Sequence, residues 1–434
     1  MNIKFLGAIE DVTGSMILLE FSKRKILIDC GLYQGTNEVV KKNLRSLPFN
    51  PKEITDVILT HAHLDHSGFI PRLVKLGFRG NIYATQTTLK LARIIMNDSA
   101  HIIEKSEHHI LKSFYEMQDV EIAISLFKSK KFNETFDIEG LLVTLLPAGH
   151  ILGAASVFIT DGDKRIVFSG DLGRLNDPLI PPPEKCPETD ILVIESTYGG
   201  KVREGDLEQE LFNFLKKIKK ESRVGIIASF AVARAQSLIT LVHQFYENHP
   251  EEKIRFVIDG PMMTAANKIY KEFSHETTRP QELLKALEEV EVIDHVRQWE
   301  SISKKEGPLL IITSSGMVSG GRIWRYLENW QDDNKACLFL PGYQAIGTAG
   351  RALSEGVRII HDEQGKEVHW SGEVISSGAF SSHADQNELL SWISDLKKDT
   401  QIFINHGEKI SKEKMKAKLQ EIGFTNVFIA IEQS

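Results

Sequence analysis

The chain has 434 residues, 26% of them charged and 42% apolar, with 31 Gly and 14 Pro. That length suits two or three domains with cores of their own, and the near-average composition excludes disordered, collagenous and coiled-coil classes. Lys plus Arg (52) against Asp plus Glu (59) gives −7, so no overall positive field draws the molecule to nucleic acid and any polyanion must be gripped locally.

Short β-branched runs open the chain: Ile3–Leu6, Met16–Phe21, Ile26–Ile28 and Val57–Leu59 are predicted strands of a hairpin-rich sheet. Residues 86–126 change to helical spacing (Leu89, Ala92, Ile95, Met96), as helices on an outer face would. Strands return at Leu141–Leu146, Ser156–Thr160, Arg165–Phe168 and Ile191–Ile194. From about 205, strand and helix alternate: Val224–Ser229 then Ala231–Tyr246, Phe256–Asp259 then Thr264–Phe273, Leu309–Thr313 then Arg322–Trp330. That alternation predicts a parallel α/β sheet. After about 356 come shorter strands (Arg358–Ile360, Glu367–Ile375, Gln401–Asn405) and helices near Gln386–Leu396 and Lys409–Ile422. The texture predicts an α/β domain inserted into a sheet-rich one, with parts 1–205, 206–355 and 356–434.

Three scattered cysteines, Cys30, Cys186 and Cys337, argue against a disulfide framework and fit a reducing cytosol. The first residues carry Glu10 and Asp11 and have no long apolar run, so no signal peptide is expected. The most apolar stretch, Val224 to Ala233, is about half a membrane span. A soluble cytoplasmic protein without a membrane partner is expected.

The chemistry concentrates at strand ends. His61-Ala62-His63-Leu64-Asp65-His66 follows directly on the apolar strand at Asp56–Thr60. Three imidazoles and a carboxylate in six residues cannot all enter a core unpaired; at a strand's end they can converge on a borderline cation such as Zn²⁺. His150 (PAGH), Asp171 (FSGD) and His406 (INHGE) have the same setting: strand, metal-competent side chain, glycine nearby. Five His and two Asp would make a two-metal site with one bridging carboxylate. Glu195 (ESTY) and His383 (SSHAD) are candidate acid–base partners, and Asp29 could orient a ligand His. Two Gly-rich segments, SSGMVSGGR (Ser314–Arg322) and PGYQAIGTAGRAL (Pro341–Leu353), could hold phosphate on backbone N–H groups, with Ser315, Arg322, Arg351 and Arg234 nearby. Tight α/β turns need glycine in any case, and Arg351 could simply pair with Glu355. Walker, GxSxG and GxGxxG motifs are absent.

HAHLDH with Asp29, His150 and Asp171 resembles the metallo-β-lactamase superfamily, and ESTYG, SSGMVSGGR, PGYQAIGTAGR, SSHAD and NHGE resemble its β-CASP branch of nucleic-acid-processing nucleases. The resemblance implies an αββα metallo-β-lactamase sandwich carrying an inserted, mainly parallel α/β β-CASP domain. It implies two Zn²⁺ per chain. His61, His63 and His150 would hold one and Asp65, His66 and His406 the other, with Asp171 bridging and a hydroxide between them as nucleophile. His383, Glu195 and Asp65 would be catalytic, and Asp29 would support the ligands. His406 favours RNA over DNA, because the DNA-processing branch typically has an apolar residue there. The expected activity is hydrolysis of single-stranded RNA in the cleft between the domains; the family allows a homodimer. Other readings are a DNA nuclease, a small-molecule metallo-hydrolase, or an RNA-binding subunit with a decayed site, which the complete ligand set argues against. Two departures are visible: Gly200-Lys201-Val202-Arg203 lacks the histidine often found after the tyrosine, and no appended RNA-binding domain is expected.

Overall fold

The structure is a computed structural model that describes residues 1–35, 37–105, 114–293, 296–304, 307–345, 347–362 and 364–432. Residues 106–113 of the predicted helical stretch and Ile346 of the second Gly-rich segment lie outside the described residues. The chain divides into two compact units, Met1–Val202 with His383–Ser434, and Arg203–Ser382.

The first unit is built on two sheets. One has the order β1 (Asn2–Phe5), β2 (Ile17–Phe21), β3 (Arg24–Ile28), β4 (Asp56–Ile58), β5 (Asn81–Thr85), β6 (Phe127–Lys130). Its first three strands are antiparallel, as the closely set runs predict; from β3 onward the pairs are parallel. The second sheet contains β7 (Thr135–Ile138), β8 (Leu141–Pro147), β9 (Ala155–Thr160), β10 (Arg165–Phe168) and β11 (Ile191–Ile194). It is completed by two strands from the returning chain, Gln401–Ile404 and Val427–Ile429, which add in parallel beside β11. Inward side chains of both sheets share one core: Ile17, Leu19, Ile26 and Ile58 meet Val143, Leu145, Val157, Ile166 and Phe168. Helices cover the outer faces. Gln86–Lys105 buries Leu91, Ala92, Ile95 and Met96, one stripe at helical spacing, and Lys409–Glu421 buries Met415 and Leu419. The layering is the expected αββα sandwich.

The second unit is a parallel sheet in the order β14 (Glu291–Val292), β13 (Arg255–Asp259), β15 (Leu309–Thr313), β12 (Val224–Ala228), β16 (Ala336–Pro341), with Glu373–Ser377 at the edge beside β16. Its central strands β12, β15 and β16 are buried along their whole length, which is why they read as continuous apolar runs rather than alternating ones. Two departures from the sequence reading occur here. Ala336–Pro341 is a central strand where none was expected. The single strand expected at Glu367–Ile375 is two: Glu367–His369 forms a hairpin ribbon with Ile359–His361, and Glu373–Ser377 joins the parallel sheet. Gly372 separates them, because a Cβ there would stand 2.6 Å from Ala336 O and 2.7 Å from the Trp370 ring.

Candidate metal centre

All strands that deliver candidate ligands belong to the first unit. Past β4 the chain continues through Leu59 and Thr60 into the loop His61–His63 and a one-turn helix, Leu64–Ser67. The loop packs against Gly31 so closely that a Cβ there would fall 1.6 Å from Asp65 O. His150 sits in the turn after β8, and Asp171 in the loop after β10; these loops meet at Gly173, where a Cβ would be 1.7 Å from Gly149 O. His406 follows Gln401–Ile404 at φ 47°, its N–H donating to Ala8 O at 3.0 Å.

The seven side chains converge as two adjoining groups. In one, His63 Nδ1 lies 3.1 Å from both His61 Nε2 and His150 Nε2, with Asp171 Oδ2 at 3.6 and 3.7 Å from the latter two. In the other, His66 Nε2 and His406 Nε2 are 3.1 Å apart, and Asp65 Oδ2 lies 4.0 and 3.8 Å from them. Asp171 Oδ1 faces this second group, 3.3 Å from His66 Nε2 and 3.5 Å from His406 Nδ1. One carboxylate therefore presents one oxygen to each group.

These residues suit cations. Burial holds His61 and His150 well below the ordinary imidazole pKa and pushes His63 down to about 4, so all three are neutral with lone pairs to offer. His66 goes the other way: burial opposes its charge, yet Asp171 and Asp29 hold its pKa well above the usual value. Asp171 stays well below the carboxylate range despite its burial, because of His406 and His66. Positive charge is wanted here, and Asp171 Oδ1 is buried without a hydrogen-bond donor among the described residues.

Supporting bonds fix which nitrogen faces inward. Asp29, buried at φ 60°, accepts from Thr60 N (2.8 Å), Thr60 Oγ1 (2.9 Å) and His66 Nδ1 (2.7 Å). Since Thr60 gives its proton to Asp29, its oxygen accepts from His61 Nδ1 at 3.1 Å, which leaves His61 Nε2 bare toward the centre. Thr197 Oγ1 stands 3.3 Å from His406 Nδ1. Sequence reasoning missed both threonines; their only signal was position, one residue before HAHLDH and two after Glu195.

Glu195 lies beside the ligands, accepting from Leu172 N (2.8 Å) and Thr197 N (3.0 Å), with His383 Nδ1 3.3 Å from its Oε1. Burial would lower the His383 pKa; Glu195 and Asp171 raise it. The expected pairing of Glu195 with His383 is thus present. Tyr198 adds an aromatic wall, its ring centroid 6.1 Å from that of His383.

The four residues expected to bind substrate lie in the second unit. Ser315 Oγ accepts from Ser319 N at 3.0 Å. Arg322 bonds to Asp259, whose other oxygen accepts from Tyr326 at 2.7 Å, and donates to Ile293 O at 3.2 Å. Arg351 Nε donates to Glu355 at 2.6 Å, the helical pairing foreseen as its alternative role. Arg234 is buried, with its guanidinium 4.7 Å from the Phe230 ring centroid.

Three family models match the chain: the metallo-β-lactamase superfamily over residues 9–220, the β-CASP domain over 235–353, and a "Zn-dependent metallo-hydrolase RNA specificity domain" over 367–430. A protein named as a ribonuclease in Thermus thermophilus is 32% identical over 428 residues, covering 94% of each chain. The chain belongs to the metallo-β-lactamase superfamily, in its β-CASP family. An RNase J-like protein of Methanocaldococcus jannaschii is 29% identical, covering 94% of this chain and 92% of its own. Cleavage and polyadenylation specificity factor 73 of Drosophila melanogaster is also 29% identical, over 97% of this chain and 62% of the longer relative. A solved structure from Enterococcus faecalis, a protein of unknown function, shares the fold at TM-score 0.58 with 16% identity, covering 99% of this chain and 97% of that one. As a β-CASP protein with this His/Asp cluster, the chain is a metal-dependent hydrolase of the nuclease branch.

Proposed function

We propose that this β-CASP protein is a zinc-dependent ribonuclease that cuts phosphodiester bonds within single-stranded RNA. The observation that carries the proposal is the placement of Asp171, one oxygen toward His61 and His150 and the other toward His66 and His406. His61, His63 and His150 would hold one zinc, Asp65, His66 and His406 a second, and Asp171 would serve both. Bound there, the ions would supply Lewis acidity, polarising a phosphoryl oxygen and easing deprotonation of a water.

The protein's own part is proton handling and orientation. His383 is drawn toward its protonated form by Glu195 and is more exposed than the ligands His61, His66 and His150. With Nδ1–H held by Glu195, its Nε2 can deliver a proton to the departing ribose oxygen, the leaving group that most needs neutralising. Two backbone N–H donors fix Glu195, so the imidazole is oriented before substrate arrives. Asp65, 19% exposed where Asp171 is 2%, is the carboxylate that meets solvent and can accept a hydrogen bond from the attacking water.

RNA is favoured by His406, by the family model over residues 367–430 and by the ribonuclease relatives. Ser315, Arg234, Arg322 and Arg351 would contribute phosphate contacts from the second unit. Three buried free cysteines suit a reducing cytoplasm, and among the described residues no helix is long and apolar enough to cross a membrane. The test is to incubate zinc-loaded protein with end-labelled RNA and DNA of one sequence and size the fragments. Internal products from RNA alone are expected; equal cutting of DNA, or no cutting, would overturn the proposal.

A further inference from the structure

Both Gly-rich turns of the second unit have a use that phosphate binding does not explain. After β12 the chain forms the loop Ser229–Ala233, in which Ala231, Val232 and Ala233 are buried while Phe230 keeps 37% of its surface exposed. No other phenylalanine of this unit is exposed among the described residues. The Arg234 guanidinium lies over one face of the ring, 4.7 Å from its centroid.

Each glycine turn makes room for one member of this pair. A Cβ at Gly316 would stand 2.8 Å from Phe230 N and 3.2 Å from Phe230 Cδ2. A Cβ at Gly342, whose φ is 111°, would stand 3.0 Å from Arg234 Nη2. Buried Gln344 ties the turns together, donating to Gly316 O at 3.1 Å and to Gly342 O at 3.3 Å. Between Phe230 and Arg234 the backbone is strained: Ala233 has φ 70° and ψ −67°, and Arg234 N closes a three-residue turn on Val232 O at 3.0 Å. Strain at non-glycine residues clusters at functional positions. Here it closes the loop whose Phe230 ring is exposed while Ala231, Val232 and Ala233 are buried.

We propose that Phe230 is a stacking platform for a nucleobase of single-stranded RNA, with Arg234 backing the ring and Gly316, Gly342 and Gln344 holding both in place. The occupant follows from the chemistry. Every base offers a π-face, so stacking binds RNA without reading its sequence, and it needs no net positive charge, which this chain of −7 lacks. The inference rests on the RNA reading above.

The experiment uses the zinc-loaded full chain and three versions of residue 230. For Phe230→Leu, KM for single-stranded RNA should rise about 5- to 100-fold, while kcat and hydrolysis of bis(p-nitrophenyl) phosphate stay unchanged. Phe230→Trp should keep the wild-type KM. A phosphorothioate RNA carrying 2-aminopurine should be quenched on binding wild type and Phe230→Trp, and not on binding Phe230→Leu. Wild-type KM and quenching in Phe230→Leu would overturn the platform and leave the ribonuclease standing. Loss of bis(p-nitrophenyl) phosphate hydrolysis in that variant would also overturn it, by showing a structural role. A wild-type chain that neither binds nor cuts RNA would overturn the ribonuclease reading and the platform with it.

Discussion

Replacing Asp29 by Asn exchanges one carboxylate oxygen for an amide NH₂ and removes a negative charge while keeping the side chain's shape. Asn occupies the same volume and tolerates the positive φ of 60° as readily as Asp. Its carbonyl can keep the bond from Thr60 N at 2.8 Å. Its amide group, however, replaces the oxygen that accepts from Thr60 Oγ1 and from His66 Nδ1 at 2.7 Å. An amide N–H pointing at Nδ1 forces that nitrogen to accept, so the imidazole proton moves to Nε2. That is the nitrogen facing His406 and Asp171 Oδ1, and once protonated it cannot ligate. Loss of such a supporting partner typically costs 10–100-fold in metal affinity, roughly 1.4–2.7 kcal/mol. Loss of the charge-assisted bond costs the fold about 1.5–3 kcal/mol. The Asp65–His66–His406 group is reached directly and His61 only through Thr60, which loses its acceptor, so one zinc equivalent should weaken more than the other. Chelator competition followed by elemental analysis reads both equivalents; two equivalents held with wild-type affinity in Asp29→Asn would refute the reasoning.

Asp171→Ala, in contrast, should loosen both equivalents together, which the same titration shows. His383→Ala should lose about 10²–10⁴-fold in RNA cleavage with metal content unchanged; loss of one zinc instead would make His383 a ligand. Arg351→Ala should weaken RNA binding equally across sequences and flatten its salt dependence, and an unchanged slope would assign Arg351 to its pairing with Glu355 alone. Lys412, buried and donating to Ile9 O, has its pKa lowered by burial from 10.5 to about 8. Its proton is therefore held more weakly in the folded chain than in the unfolded one. The stability of wild type relative to Lys412→Met should rise as pH climbs from about 8 toward 10.5 and stay level below 8. Paired denaturant titrations check this, and a flat difference across that window would contradict it.

How far the site could be read from the sequence depended on whether each residue's role is carried by its type or by a distant neighbour. The ligands could be read because imidazoles and carboxylates at strand ends have few other uses, and six positions supply four of them. Thr60 and Thr197 could not, because a threonine beside a strand is ordinary until it stands 3.1 or 3.3 Å from a ligand imidazole. The bond of Arg322 to Asp259 could not be read either, because the two lie 63 positions apart and only the parallel pairing of β13 with β15 brings them together. The strand Ala336–Pro341 is as continuous an apolar run as β12 and β15, but its last residue opens the second Gly-rich segment, so the run reads as the approach to a loop. Glu367–Ile375 read as one strand because the crowding that breaks it at Gly372 comes from Ala336 in another strand.

The most direct test of the central claim is to strip the wild-type chain with a chelator and follow RNA cleavage as zinc is returned. Two adjoining ligand groups sharing Asp171 predict that activity is absent at the start and is complete only near two equivalents per chain. Cleavage by the stripped protein, or full recovery at one equivalent, would contradict a two-metal ribonuclease.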